Sequence, residues 1–415
     1  MQRTCGVVYD GNEGSIGIEG ASGQELHWRI VISTEIQYLV RLIRSWLTDP
    51  AAGSTQPVSR GVSGDEVRRL LAAHRIEAAL AGCLAPELLT PAFDQLVRSS
   101  RERTDFLLME LERVLPVLEV GDCRPVVLKG AALAQACYRV PHHRWFMDLD
   151  LLVPRERVEE TCRRLEGLGY RPFTGGRDPL FYEKHHLHRI MMGPQGSCLE
   201  VHWALTLPAS VYSFDLAGVF ERAREAPLGR RHMWVTSPVD QVLHNVYQAI
   251  ADGFVDLRRI LDLALLTADL SDDDWLYLMK QSRQTGMSSA LWLSLHLMKE
   301  VTGRTPDLAI MDALAPRGPV KRILKGMDVS TGCLERRAES VDGYSVLLHL
   351  LLTPGPMNRL RESLRFVWPG EASLMDRGFA HHQLPGVLSR LRIVFYHLKL
   401  LTRISFRTMT ALARG

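Results

Sequence analysis

Lysine is scarce in this 415-residue chain and arginine supplies most of the basic charge, so the position of each lysine carries information. Acids and bases nearly balance at a formal +3, which gives no strong nonspecific attraction to nucleic acid or an anionic membrane. No apolar run is long enough for a transmembrane segment: the longest, Val346 to Leu352, is broken by His349 and stopped by Thr353-Pro354-Gly355. Met1 to Gly20 has no apolar h-region, which argues against a signal peptide. The cysteines (Cys5, Cys83, Cys123, Cys137, Cys162, Cys198, Cys333) are odd in number and show neither CxxC nor Cys/His spacing. That excludes a disulfide scaffold or zinc ribbon and predicts reduced, mostly buried thiols in a cytoplasmic protein. Internal repeats and low-complexity tracts are also lacking. The rest has the composition of an ordinary globular protein, long enough for two or three domains.

Residues 1 to 30 are glycine-rich and aperiodic. From Glu35 onward Tyr38-Leu39, Leu42-Ile43 and Trp46-Leu47 fall on one helical stripe. Residues 51 to 64, dense in Gly, Ser and Pro, read as a loop, and helices follow over Leu70 to Ile76 and Phe93 to Leu118. At Pro125-Val126-Val127-Leu128 the pattern changes to a short, β-branched strand, ended by Lys129-Gly130 and followed by a helix over Ala131 to Tyr138. Asp148 to Val153 reads as a second strand. Pro154 suits the first turn of the next helix, Val158, Cys162 and Leu165 share a stripe on it, and Gly169 is placed to close it. A third strand lies near Tyr170 to Phe173. Tyr182 to Met192 and Cys198 to Trp203 form a hairpin around Gly193-Pro194-Gln195-Gly196. The order β-α-β-α-β-β-β predicts a compact α/β (α+β) unit with a mixed sheet. After Leu207-Pro208 the pattern is helical again. Ser237-Pro238-Val239-Asp240 supplies an N-cap, a first-turn proline and an acid at the positive helix end. Further helices are expected over Leu257–Leu266, Trp275–Arg283, Ala290–Val301, Tyr344–Leu352 and Leu388–Ile404.

Alternation along a strand puts Asp148 and Asp150 on one face and Leu149 and Leu151 on the other. An isolated Asp-x-Asp is more often a solvated edge, but Leu151-Leu152-Val153 marks an interior strand, where acids are costly unless they face a cleft. In Leu199-Glu200-Val201-His202-Trp203 the same rule puts Glu200 and His202 opposite the apolar residues. Three carboxylates from two strands suit a site that holds divalent cations for phosphoryl transfer, with Glu200 as third ligand or general base. His202 reads equally well as a packed strand histidine. Lys129-Gly130, a rare lysine and a glycine at a strand-to-helix switch, suits a phosphate cradle.

Val127-Leu128-Lys129-Gly130, Arg144 ahead of Asp148-Leu149-Asp150-Leu151-Leu152-Val153, and Leu199-Glu200-Val201-His202-Trp203 together resemble the bacterial "uncharacterised nucleotidyltransferase" family of the DNA polymerase β-like superfamily. The core of the resemblance covers roughly 125 to 205. Weaker likeness extends to Ala73-His74-Arg75-Ile76 upstream, and downstream to Ser237-Pro238-Val239-Asp240, Leu243-His244, Leu257-Arg258 and Asp262-Leu263. Two departures stand out: the superfamily's Gly-Ser pair is Gly130-Ala131 here, and a second histidine expected near Gln248 is missing.

The resemblance implies a small mixed-sheet nucleotidyltransferase core flanked by N-terminal and C-terminal helical domains. The expected divisions are a variable arm (1–30), a helical domain (31–120), the core (121–207), a second helical domain (208–335) and a C-terminal helical region (336–415). It implies transfer of a nucleoside monophosphate from an NTP to a small-molecule, peptide or protein acceptor, with Mg2+ or Mn2+ at Asp148, Asp150 and Glu200. Lys129, Gly130, Ala131 and Arg144 would contact the phosphates. His202, His188, Asp240, His244, Arg258 and Asp262 are candidate substrate contacts. The alternative is a noncatalytic member of the fold that binds a biosynthetic partner, favoured by Ala131 and opposed by the acid trio. Arg258 and Asp262, spaced i,i+4, also read as a surface ion pair. The alternating histidines of Lys184-His185-His186-Leu187-His188 read as phosphate or acceptor contacts, or as a transition-metal site. Arg390, Arg392, Lys399, Arg403 and Arg407 lie in a basic amphipathic stretch expected to pack on the helical domain, or else to contact a partner or membrane surface.

Overall fold

The computed structural model describes residues 7–10, 15–18, 33–49, 55–119, 123–174, 185–326, 333–334 and 341–367, with backbone alone at 7–10, 15–18, 341–345 and 366–367. The expected start of the hairpin at 182–184 and the basic stretch at 388–407 lie outside the described residues. Within the expected arm, β1 (Val7–Asp10) and β2 (Ser15–Ile18) pair antiparallel.

The first apolar stripe becomes the buried face of α1 (Thr34–Thr48), whose N-cap Ser33 accepts from the Ile36 amide. Helix α2 (Gly64–His74) ends on Arg75 in the left-handed conformation, and the single turn α3 (Glu77–Leu80) follows. Helix α4 (Pro91–Leu118) has 28 residues, about 42 Å at the usual rise. That length lets it join two cores: Phe93 and Val97 pack with the N-terminal helices, whereas Leu107 to Leu118 pack against the sheet.

Strand β3 (Val126–Leu128), α5 (Lys129–Ala136), β4 (Leu149–Leu152), α6 (Val158–Gly167), β5 (Arg171–Phe173), β6 (His188–Met192) and β7 (Cys198–His202) appear in the expected order. Asp148 precedes the ladder of β4 instead of joining it. The sheet is mixed, with seven strands in the order β5-β6-β7-β4-β3-β9-β8. Its last two members correct the helical reading after Leu207. After the short α7 (Leu216–Glu221) come β8 (Arg224–Leu228) and β9 (Arg231–Val235), and β9 pairs parallel with β3. The boundary expected at 207 therefore falls inside the unit that shares this sheet.

Alternation divides the sheet into two unlike faces. Leu149, Leu151, Leu199, Val201 and Val127 form a large core with α4, α5 and α6. The opposite face carries only a small apolar patch, Val126, Leu128, Leu152, Leu205 and Val219, and the acids lie beside it.

Beyond the sheet, α8 (Pro238–Ala251) is capped by Ser237 as expected, and α9 (Leu257–Leu266), α10 (Asp272–Gln284) and α11 (Ser288–Thr302) follow. The described chain ends through α12 (Leu308–Leu314), α13 (Pro319–Gly326), α14 (Val341–Leu352) and α15 (Pro356–Val367). Helices α1 and α2 share one apolar core with α8, α9 and α11, so the two helical segments close over each other on either side of the core in sequence.

Candidate functional site

Strand β4 is the centre of the sheet, and β7 runs parallel beside it with Asp150 opposite Glu200 and Leu152 opposite His202. On its other side Leu128, the last residue of β3, faces Asp150. The next residue, Lys129, takes φ +49°, a left-handed conformation that a lysine adopts only when its surroundings hold it. From there Lys129 Nζ donates to Asp150 Oδ1 at 2.6 Å and lies 3.8 Å from Glu200 Oε2.

Asp150 is almost wholly enclosed, 1% exposed, and the same Oδ1 lies 2.8 Å from His202 Nε2. Because Nε2 is also 3.1 Å from Glu200 Oε2, it faces two acceptors and carries the ring proton toward them. On the neighbouring strand His188 stands opposite His202, its ring centroid 4.9 Å away, with Nδ1 3.5 Å from Glu200 Oε2. That Nδ1 and the Nδ1 of His202 are buried without hydrogen-bond partners.

The charges here do not balance locally. Burial, reinforced by the negative charges of Asp150 and Glu200, pushes the Asp148 carboxyl up to about 6. Burial also works against Asp150, but Lys129 and His202 outweigh it and hold the carboxyl well below its usual range. Lys129 is shifted upward: burial opposes its charge, and Asp150 and Glu200 more than compensate. Burial lowers His188 to about 4, so near neutrality its approach to Glu200 is that of a neutral ring and not an ion pair. His244 of α8 is buried and held neutral by the same effect, with Lys129, His202 and Asp150 within electrostatic reach.

The other predicted contacts are occupied elsewhere. Arg144, expected at phosphate, is buried in a two-point pair with Asp262: Nε to Oδ1 at 2.7 Å and Nη2 to Oδ2 at 2.8 Å. Tyr138 adds an O–H donor to Asp262 at 2.8 Å. The surface pair Arg258–Asp262 does not form, because Arg258 turns to Asp256, the N-cap of α9, and Asp262 faces the interior. Asp240, a candidate substrate contact, is buried under Arg222, with both Nε and Nη2 at 3.0 Å, and accepts from the Ser237 hydroxyl.

Gly130 has a steric reason of its own, since a Cβ there would lie 2.3 Å from the Cβ of Phe146. Ala131 packs in the large core behind the sheet. Sequence reasoning did not anticipate Asp256 or Tyr138. An acid just before Leu257 is a recognisable N-cap signal, whereas nothing local marks Tyr138.

A family profile described as "Uncharacterised nucleotidyltransferase" matches residues 62–303. No curated protein matches the chain. A solution structure of the antibiotic-resistance factor ANT(2'')-Ia is 17% identical, covers 44% of this chain and 93% of its own, and superposes with a TM-score of 0.33. A crystal structure of ANT(2'')-Ia in complex with adenylyl-2''-tobramycin is also 17% identical, covers 43% of this chain and 98% of its own, with the same TM-score.

Proposed function

The chain belongs to the uncharacterised nucleotidyltransferase family, whose profile takes in more than half of it, and from that premise we propose that it transfers a nucleoside monophosphate from an NTP to an acceptor, with release of pyrophosphate. The observation that carries this reading is the surplus of negative charge at one sheet face. One lysine lies between Asp150 and Glu200, and Asp148, within electrostatic reach of both acids, is pushed up to about 6 by burial and their charges. Such a set fits a divalent cation, Mg2+ or Mn2+, because oxygen donors suit these ions and a cation relieves the repulsion. When bound, the ion would supply positive charge to the triphosphate and make the leaving pyrophosphate a better leaving group.

The chain's own residues have separable tasks in this proposal. Asp148, whose carboxyl is pushed up to about 6, would be a cation ligand that becomes available as pH rises through that value. Asp150 is the fixed ligand, ionised and oriented by Lys129 and His202. Lys129, held between Asp150 and Glu200, would supply positive charge to the phosphates. Glu200, beside His202, would accept the acceptor's proton or serve as third ligand. The helical segments that share one core across the chain would form the wall that selects the acceptor, and the domain division is proposed on the same footing, with the core extended to Val235.

The test is to incubate the purified protein with each labelled NTP, Mg2+ and panels of small-molecule and peptide acceptors, and to read products by mass spectrometry. The expected product is an acceptor heavier by one nucleoside monophosphate, with pyrophosphate released. Release of a nucleoside diphosphate and a phosphorylated acceptor would replace this reading with a kinase-like one.

A further inference from the structure

Outside the acid pair, one set of side chains has the composition and spacing of a metal centre of a different kind. His188, Glu200 and His202 come from adjacent strands, and their donor atoms all lie within 4.8 Å of one another. Two separations are more specific. His202 Nε2 is 3.1 Å from Glu200 Oε2, and His188 Nδ1 is 3.5 Å from the same oxygen. Ligand bonds of about 2.1 Å place neighbouring donors about 3.0 Å apart around an octahedral ion and about 3.4 Å apart around a tetrahedral one. Both observed distances lie close to this range, and the third, between the two imidazole nitrogens, is within 4.8 Å, so a small closing movement would bring all three onto one ion. His188 Nδ1 is also buried with no hydrogen-bond partner, although it points to within contact range of a carboxylate. An unmet buried nitrogen is unfavourable, and a cation shared with Glu200 removes that penalty.

We propose that His188, Glu200 and His202 form a site for a borderline divalent transition-metal ion, of the class of Co2+ or Zn2+, adjoining the acid pair and sharing Glu200 with it. Two imidazoles and one carboxylate favour such ions over Mg2+, which prefers oxygen donors and sheds water reluctantly. Binding through Nε2 of His202 requires that nitrogen to offer its lone pair, which leaves the ring's N–H to Nδ1. Lys129 stays outside the triangle, nearer to Asp150 at 2.6 Å than to Glu200 at 3.8 Å. Three protein ligands would leave positions open for water or substrate, unlike the four-ligand closed cage of a structural site. The inference stands on binding geometry alone and holds whether or not the chain transfers nucleotides.

The test uses the full chain, stripped with chelator and titrated with Co2+ in the absence of any nucleotide. The expected result is stoichiometric binding with a visible absorption band that a large excess of Mg2+ does not bleach. His188→Gln should weaken that binding by more than about 100-fold, the upper end of what loss of a mere outer-shell partner produces, while circular dichroism stays as in the parent protein. X-ray absorption of the Co2+-loaded parent protein gives a reading that does not depend on any variant folding, and two imidazoles should appear in its first shell. Displacement by Mg2+, unchanged Co2+ affinity in a folded His188→Gln protein, or a first shell of oxygen only would each overturn the proposal. The proposed transfer reaction would remain standing in all three cases.

Discussion

Arg144 and Asp148 stand four residues apart, yet they belong to two clusters of buried charge built in opposite ways. Around Arg144 each charge has a partner: its guanidinium grips both oxygens of Asp262 and Arg258 takes Asp256, and elsewhere Arg222 takes Asp240 in the same two-point way. Around Asp148 one lysine serves Asp150 and Glu200, the carboxyl of Asp148 is opposed by the charges of both those acids, and two imidazole nitrogens are unmet. The first arrangement is complete without any ligand and belongs to the architecture that holds α9 against the turn before β4. The second is incomplete as it stands, and incompleteness of this kind is retained where something else supplies the balance. Buried charge therefore does not mark function by itself, and the unbalanced cluster is the one on which the proposed function rests.

The sharpest way to break this comparison is to neutralise one member of each cluster. Asp148→Asn should lower transfer on the order of 10³-fold, since a charge that positions the reacting phosphates is lost. The same change should make the protein more stable at neutral pH. The folded state raises this carboxyl from 3.8 to about 6, so it holds the proton more tightly than the unfolded chain does. Stability then falls as pH rises between those values, and the deficit is complete above about 6. Removing it should be worth roughly 1 to 3 kcal/mol at neutral pH in urea denaturation, fading to nothing below about pH 4. A less stable Asp148→Asn protein at neutral pH would place Asp148 with the matched charges.

Arg144→Ala should do the reverse. It strands Asp262, which is fully buried, and should cost about 3 to 5 kcal/mol of stability while the folded fraction binds NTP normally. The double change Arg144→Met, Asp262→Leu should recover part of that loss, because an apolar pair of similar volume needs no desolvation, while the Tyr138 hydroxyl left without its acceptor limits the gain. Intact stability with weakened NTP binding in Arg144→Ala would restore the phosphate role that its sequence position suggests.

What the sequence made legible follows the same physical divide. The strands at 126–128, 149–152 and 198–202 could be read because β-branched and aliphatic runs sit in the interior of the sheet, and alternation alone puts Asp150, Glu200 and His202 opposite the core residues. The hairpin of β8 and β9 could not. Arg224, Glu225, Arg231 and His232 are exposed, Pro227 is tolerated because β8 is an edge strand, and the strand that β9 pairs with lies about a hundred residues earlier. Partnerships across the chain were equally hidden. Arg144 finds Asp262 at a separation of 118 residues, and His188 gains its meaning only when β6 lies beside β7. Sequence spacing could bring Asp150, Glu200 and His202 together because they are strand neighbours, and could not show the partners of Arg144 and Arg258 because those depend on the tertiary fold.

The smallest expected effect tests where the first turn of α5 faces. Gly130-Ala131 departs from the Gly-Ser pair of the superfamily, and the sequence suggests a lost hydroxyl ligand to phosphate. In the fold Ala131 is 1% exposed and packs with Val127, Leu149 and Leu151 on the far side of the sheet from Glu200, so a hydroxyl there would enter the apolar core. Ala131→Ser should therefore leave turnover within about threefold of the parent, under about 0.7 kcal/mol in barrier, and destabilise by about 1 kcal/mol from burying a hydroxyl. The measurement pairs steady-state pyrophosphate release with urea denaturation. Turnover raised tenfold or more without loss of stability would mean that the introduced hydroxyl reaches phosphate. The first turn of α5 would then belong to the unbalanced cluster, and the departure from Gly-Ser would be a true handicap to catalysis instead of a packing choice.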